Sequence, residues 1–151
     1  MRTTLLIACA VAAALLAGSS GVLGAGSAAA SAHATVRPIV TVVRHGGLCL
    51  SGTECRTLLR ITDRTISAAG FVPRRLQPSE RTALLCSIRT LDFGSIRAHP
   101  FEGTCPIAYD GTESIYRFRG FSRPLASCTY DLRRVQAVRL TERLLASLKP
   151  R

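Results

Sequence analysis

The stretch from Val40 to Phe93 constrains this chain most. It reads as strand, Gly-Gly turn, cysteine-flanked tip, second strand, loop and amphipathic helix. Thr35 to Val43 is dominated by Val36, Ile39, Val40, Thr41, Val42 and Val43, whose branched side chains suit a pleated surface. Pro38 fits the start of such a strand. Arg44-His45-Gly46-Gly47 ends it, because glycine takes a positive φ at little cost. Thr57 to Ile66 is the expected partner strand, with Asp63-Arg64 as an optional turn inside it. Ser67 to Pro78, interrupted by Gly70, Pro73 and Pro78, reads as a loop. Ser79 is the expected N-cap of a helix, and Glu80 favours its first turn. Leu84, Leu85, Ile88 and Leu91 then share one face at helical spacing, and Phe93-Gly94 is the expected stop.

The remainder repeats this order more loosely. His99 to Pro106 is irregular. Asp110-Gly111 is a strong turn dipeptide. Ser114 to Arg119 and Leu125 to Tyr130 are expected strands. Asp131 can cap a terminal helix carrying Val135, Val138, Leu144, Leu145 and Leu148, which Pro150 stops. The ββαββα order predicts a small α+β domain: an antiparallel four-stranded sheet with two helices on one face, stabilised by disulfides.

The first residues predict a leader, not fold. Met1 to Thr4 is a short basic start, and Leu5 to Ala17 is an apolar run of h-region size. It is too short to cross a bilayer, which takes roughly 20 apolar residues. A Gly, Ser and Ala tract follows, with small-x-small cleavage positions after Ala32 and Ala34. An uncleaved anchor is the rival reading, opposed by the Gly and Ser breakers. Cys9 sits in the apolar run, too near the start for a lipoprotein signal. Residues 1–34 are thus expected as a signal peptide and 35–151 as a single secreted domain of one-domain length.

Export makes disulfides the default state of cysteine. Setting Cys9 aside leaves Cys49, Cys55, Cys86, Cys105 and Cys128. Cys49 and Cys55 flank a short segment centred on Gly52 and fall opposite each other at a hairpin mouth, which predicts a bridge. Cys105 with Cys128 is the default second bridge. If both sat on strands flanking Ser114–Arg119, they would stand about 10 Å apart, beyond disulfide reach. The pairing therefore requires the Cys105 segment to be a loop folded over the sheet. Cys86 points away from the Leu84/Ile88 stripe and is the expected free thiol, with a Cys86-linked dimer as the alternative to a monomer.

Charge admits two partner classes. Without Arg2, the 20 basic residues become 19 against 9 acidic, a net charge of +10. Lys149 is the sole lysine, and the arginines are scattered, not in a block. There is no Trp to stack on bases. Weak, salt-sensitive binding of polyanions is expected, and no specific nucleic-acid recognition. An Arg-rich, Lys-poor usage with solvated charges explains the same numbers.

With the residues laid out, the chain resembles the emfourin-like inhibitors of thermolysin-type metallopeptidases. The matching residues are Val42-Val43-Arg44-His45-Gly46-Gly47, Thr57-Leu58-Leu59-Arg60-Ile61, Leu76-Gln77-Pro78-Ser79-Glu80 and Leu91-Asp92-Phe93. Glu113 to Phe118 and Val138 to Leu148 follow in the same order. Leu48-Cys49-Leu50 stands where those proteins carry Phe-Ala-Gly, and the cysteines are additional. The resemblance implies a small binding module that presents a rigid loop to an extracellular peptidase. The candidate loop is the Gly46–Cys55 tip, with Gly46, Gly47, Leu48 and Leu50. The Tyr109–Glu113 turn, with Tyr109 and Asp110, is the second candidate. Preorganised loops suit such a role because less ordering is needed on binding.

Catalytic arrangements are weaker. Cys105, His99 and Asp110 could be drawn as a thiol site, but an exported Cys105 is more simply half of a disulfide. His45, Cys49, Cys55 and His99 lack a second short Cys/His pair at zinc spacing. Glu102, Asp110 and Glu113 have arginines nearby to pair with. No metal site, no cofactor and no catalysis are expected.

Overall fold

Alternation puts Val40 and Val42 on one side of the first strand, β1 (Val40–Gly46), and Thr41, Val43 and His45 on the other. The computed structural model describes residues 37–47 and 55–151. The described residues belong to one compact unit, Val36–Arg151. The expected leader with Ala32 and Ala34, and the tip residues Leu48, Cys49 and Leu50, lie outside the described residues.

The fold class is α+β, with a main antiparallel sheet and a separate two-stranded ribbon among the described residues. β1 pairs on one side with β2 (Arg56–Ile61), through Val42 opposite Leu59. β2 pairs with β3 (Thr65–Ala68). A short ribbon strand, β4 (Phe71–Val72), precedes β5 (Arg74–Arg75), which adds to the outside of β3. On its other side β1 pairs with β6 (Thr112–Phe118), through Val42 opposite Tyr116, and β6 pairs with β7 (Leu125–Ala126). The order β5-β3-β2-β1-β6-β7 makes six strands, not the expected four. The expected Thr57–Ile66 strand folds back on itself. The Thr62 hydroxyl accepts from the Arg64 and Thr65 amides at 3.2 and 2.9 Å and makes a side-chain-mimicked turn. The other additions are two-residue strands, too short to show any periodicity.

Among the described residues three α-helices alternate with the strands, two before β6 and one after β7. α1 (Pro78–Arg89) is capped at Gln77, not at Ser79. Proline suits the first helical position, and Glu80 accepts the Gln77 amide at 2.9 Å. Asp92 restarts the chain as α2 (Phe93–Arg97), accepting from the Gly94 and Ser95 amides, where Phe93-Gly94 was expected to end structure. α3 (Gln136–Ala146) is the terminal helix, and β8 (Lys149–Pro150) returns to pair with β4.

Val40, Val42, Leu59, Ile61, Ile66, Tyr116, Phe118 and Leu125 line one sheet face. They share a core with Leu84 and Ile88 of α1 and Ala137, Val138, Leu144 and Leu145 of α3. Each fully buried Leu, Ile or Val stabilises this layer by about 1.5–3 kcal/mol before entropy is counted. Buried hydroxyls are satisfied locally: Thr141 donates to the Ala137 carbonyl at 2.8 Å and Ser87 to that of Leu84 at 2.8 Å. The opposite sheet face carries no buried residue on β1 or β2. Among the described residues no helix is long and apolar enough to cross a membrane.

Candidate binding site

The described base of the first expected loop, Gly46 and Gly47, meets the second at one end of the sheet. β1 closes with Gly46 and Gly47, at φ +92° and +99°. Below them the hairpin neck is regular: His45 pairs with Arg56, and the Gly46 amide donates to the Cys55 carbonyl at 3.1 Å. On its other side Gly46 pairs with Thr112 and lies against Gly111. A Cβ on Gly46 would come within 2.5 Å of the Gly111 carbonyl oxygen and 3.0 Å of the Ile107 side chain. The Tyr109–Glu113 turn therefore packs directly on the Gly-Gly corner.

That turn is fixed from several directions. Cys105 is bonded to Cys128, with Cα atoms 5.2 Å apart. Cys105 lies in a loop and Cys128 in the turn after β7, so the strand-spacing obstacle does not arise. The expected Leu125–Tyr130 strand stops at Ala126 because the Thr129 and Tyr130 amides both turn back to the Ala126 carbonyl. Pro106–Tyr109 forms one 3₁₀ turn, and the Gly111 amide donates to the Pro106 carbonyl at 2.7 Å. Asp110 closes the turn at φ +57°, a left-handed conformation that Asp tolerates better than most residues. His45 Nε2 lies 2.9 Å from Glu113 Oε2 and ties the turn's far end to β1.

On this frame Tyr109 is 76% exposed and Ile107 is 38% exposed. Two large apolar side chains held outward on a cross-linked turn suit insertion into a partner's pocket. Tyr109 and Asp110 were legible as a turn. Ile107 was missed, although the Cys-Pro-Ile-Ala-Tyr order around a proline could have flagged it.

The cysteine assignment needs one correction. Cys86 is disulfide-bonded, as is Cys55, and no cysteine among the described residues is free. The helical wheel identifies the face packed on the core, and Cys86 is indeed off that face. It does not report what a half-buried flank residue is bonded to. The expected Cys49–Cys55 bridge involves a residue outside the described set.

Cys105 carries no thiol for nucleophilic chemistry, and His99 Nδ1 sits 2.9 Å from the Ser95 carbonyl oxygen. Among the described residues no three His, Cys, Asp or Glu side chains converge on a metal position. Asp63 is held by Arg119 and Arg81 at 2.8 Å each, and those hydrogen bonds, Arg119's first, lower its carboxyl to about 2.

The uncovered sheet face adds a pattern that linear reading missed. Register sets Arg60, Thr41 and Arg117 in one row across β2, β1 and β6. Leu58, Val43 and Ile115 form the next row, and Arg56, His45 and Glu113 the third. Arg56, Arg60 and Arg117 are exposed and make no ion pair among the described residues. No family model, curated protein or solved structure matches the chain, so the emfourin-like resemblance rests on residue order alone.

Proposed function

We propose that this chain is a secreted binding module without catalysis, whose Gly46–Gly47 corner and Cys105–Glu113 turn dock together onto an extracellular protein, most concretely a thermolysin-type metallopeptidase. The observation that carries this reading is the packing of Gly46 on Gly111, which merges two candidate loops into one rigid presenting edge. Tyr109 and Ile107 supply the apolar contacts, and the Cys105–Cys128 bridge lowers the ordering cost of binding. The test is titration of a thermolysin-type peptidase with the purified chain. Inhibition that saturates at one chain per enzyme is expected, weakened about tenfold or more by Tyr109→Ala. An unchanged cleavage rate at high chain excess, with no complex on gel filtration, overturns it.

A second reading has its own observation. Arg56, Arg60 and Arg117, exposed on the sheet face opposite the helices and without an ion pair among the described residues, favour association with polyanionic envelope surfaces. Binding to anionic vesicles should then fall steeply with salt and drop in Arg60→Glu/Arg117→Glu, while Tyr109→Ala leaves it intact. Salt-independent retention, or equal binding by the charge-reversed variant, removes this reading.

A further inference from the structure

On the helix side of β6, away from the uncovered sheet face, lies a groove of about 1020 Å³. It is at the upper end of the roughly 300–1,000 Å³ typical of small-molecule sites. Its floor is apolar: Tyr116, Leu132 and Val138 are all buried. Phe101 and Tyr130 form a wall that is laced in place. The Phe101 amide donates to the Thr129 carbonyl at 3.0 Å, and Tyr130 meets Phe93 edge-on at 5.8 Å between ring centres.

The polar groups of the groove divide sharply by depth. Where floor meets rim, the buried Tyr116 hydroxyl donates to Oε1 of the part-exposed Glu142 at 2.7 Å, and Arg44 takes the other carboxylate oxygen. No buried side-chain nitrogen or oxygen among the described residues lacks a partner. The floor thus offers nothing to a peptide, whose own amides would lose water without replacement. The rim is different. Glu142 is neutralised by Arg44, and Asp131 holds Arg133 at 2.8 Å. Arg139 donates to the neutral Gln136 amide oxygen, and neither Arg139 nor Arg143 has an ion pair among the described residues. These two arginines stand four residues apart on α3, hence on one side of the helix, and both line the groove.

From a floor of buried apolar side chains with satisfied polar groups and a rim where Arg139 and Arg143 have no ion pair among the described residues, the geometry points to a ligand site for a single-tailed amphiphilic anion, a long-chain monocarboxylate. Its hydrocarbon tail lies over Tyr116, Leu132 and Val138. Its carboxylate sits between the Arg139 and Arg143 guanidinium groups, where charge-assisted hydrogen bonds replace hydration. Charge complementarity at one end and apolar contact along the other fix the orientation. This site is separate from the Gly46–Gly111 edge, so it does not depend on the peptidase reading.

The test is calorimetric titration of the purified chain, disulfides intact, with dodecanoate below its micelle concentration. Saturable one-to-one binding is expected. Dodecanol, which keeps the tail and lacks the charge, and butyrate, which keeps the charge and lacks the tail, should each bind about tenfold or more weakly. Arg139→Glu/Arg143→Glu should lose binding. The charge-matched control Arg89→Glu/Arg97→Glu, on α1 and α2, should retain it. Equal affinity for dodecanol, non-saturating uptake, or equal loss in both double variants overturns the proposal. The three wild-type titrations decide the matter even if a variant fails to fold.

Discussion

Gly46 and Gly111 face each other so closely that a methyl group on Gly46 would stand 2.5 Å from the Gly111 carbonyl oxygen. The obstacle is backbone, which cannot rotate aside. Gly46 also sits at φ +92°, a region that costs an L-residue about 1–2 kcal/mol. Adding overpacking of about 1–3 kcal/mol, Gly46→Ala should destabilise by roughly 2–5 kcal/mol. Gly70 separates the two causes, because it has φ +79° and nothing within 4 Å of the added carbon. Gly70→Ala should cost only the conformational part, about 1–2 kcal/mol. Urea unfolding of the two variants measures the difference, and equal midpoints would mean the close approach contributes nothing.

The Cys105–Cys128 bridge closes a segment of 23 residues that contains the whole presenting turn and β6. Chain-entropy arguments put such a loop at about 3 kcal/mol of stabilisation. Cys105→Ser/Cys128→Ser should therefore melt well below the wild type. Pro106 and Gly111 would still favour the turn, but it would lose its fixed position against Gly46. Where the folded variant is populated, the peptidase inhibition proposed above should weaken more than Tyr109→Ala alone explains. Comparing inhibition at a temperature where circular dichroism reports both proteins folded checks this.

The long periodic elements were legible in the sequence. β1 and α3 follow from branched-residue content and helical spacing, and the α+β class follows from their order. The failures are short or non-local. The two-residue strands β4, β5 and β8 carry no pattern: β5 adds to the outer edge of β3, and β4 and β8 pair with each other. Gln77 displaced Ser79 as cap because Pro78 fits only the position after it. Gly46 and Gly111 are 65 positions apart, so their contact depends on the β1–β6 register and not on either local signal. The rows on the uncovered face and the Arg139/Arg143 rim likewise appear only once strands and helix are placed. Cys86 shows the limit of the wheel argument, since it assigns a face and not a bonding partner.

Asp63 links three elements: the β2–β3 turn that carries it, Arg119 after β6 and Arg81 of α1. Its carboxyl lies at about 2 in the fold, against an ordinary 3.8. A depressed folded value means the stabilisation is complete above about pH 4 and is lost as pH falls through about 2. All three side chains are 30–43% exposed, so solvent screening limits the gain to about 1 kcal/mol. Asp63→Asn should lower the melting temperature by roughly 3–6 °C at neutral pH. The gap should close as the pH falls below 2. Glu80, whose carboxyl Arg74 also holds below the usual range, leaves some acid dependence in the variant. A gap that persists unchanged at low pH would show that the Asn substitution acts through packing.

Buried Tyr116 and part-exposed Glu142 form a polar pair at the junction of β6, α3 and the groove floor. Burial, reinforced by the adjacent carboxylate, holds the phenol well above the usual tyrosine range. A raised folded value keeps this contribution whole below pH 10.0, the ordinary value, and erodes it above, where the unfolded chain releases its proton. Tyr116→Phe should cost about 1 kcal/mol at neutral pH and flatten the alkaline loss of stability. It leaves Glu142 bonded to Arg44, so the carboxylate is not stranded. Glu142→Leu removes the acceptor of the buried Tyr116 hydroxyl and the carboxylate partner of Arg44, and should cost more, about 1–3 kcal/mol. The double variant Tyr116→Phe/Glu142→Leu removes donor and acceptor together. Its loss should fall short of the summed single losses by about 1 kcal/mol. Strict additivity in urea unfolding would mean that the hydrogen bond adds no stability, and that the floor of the groove is held by apolar packing alone.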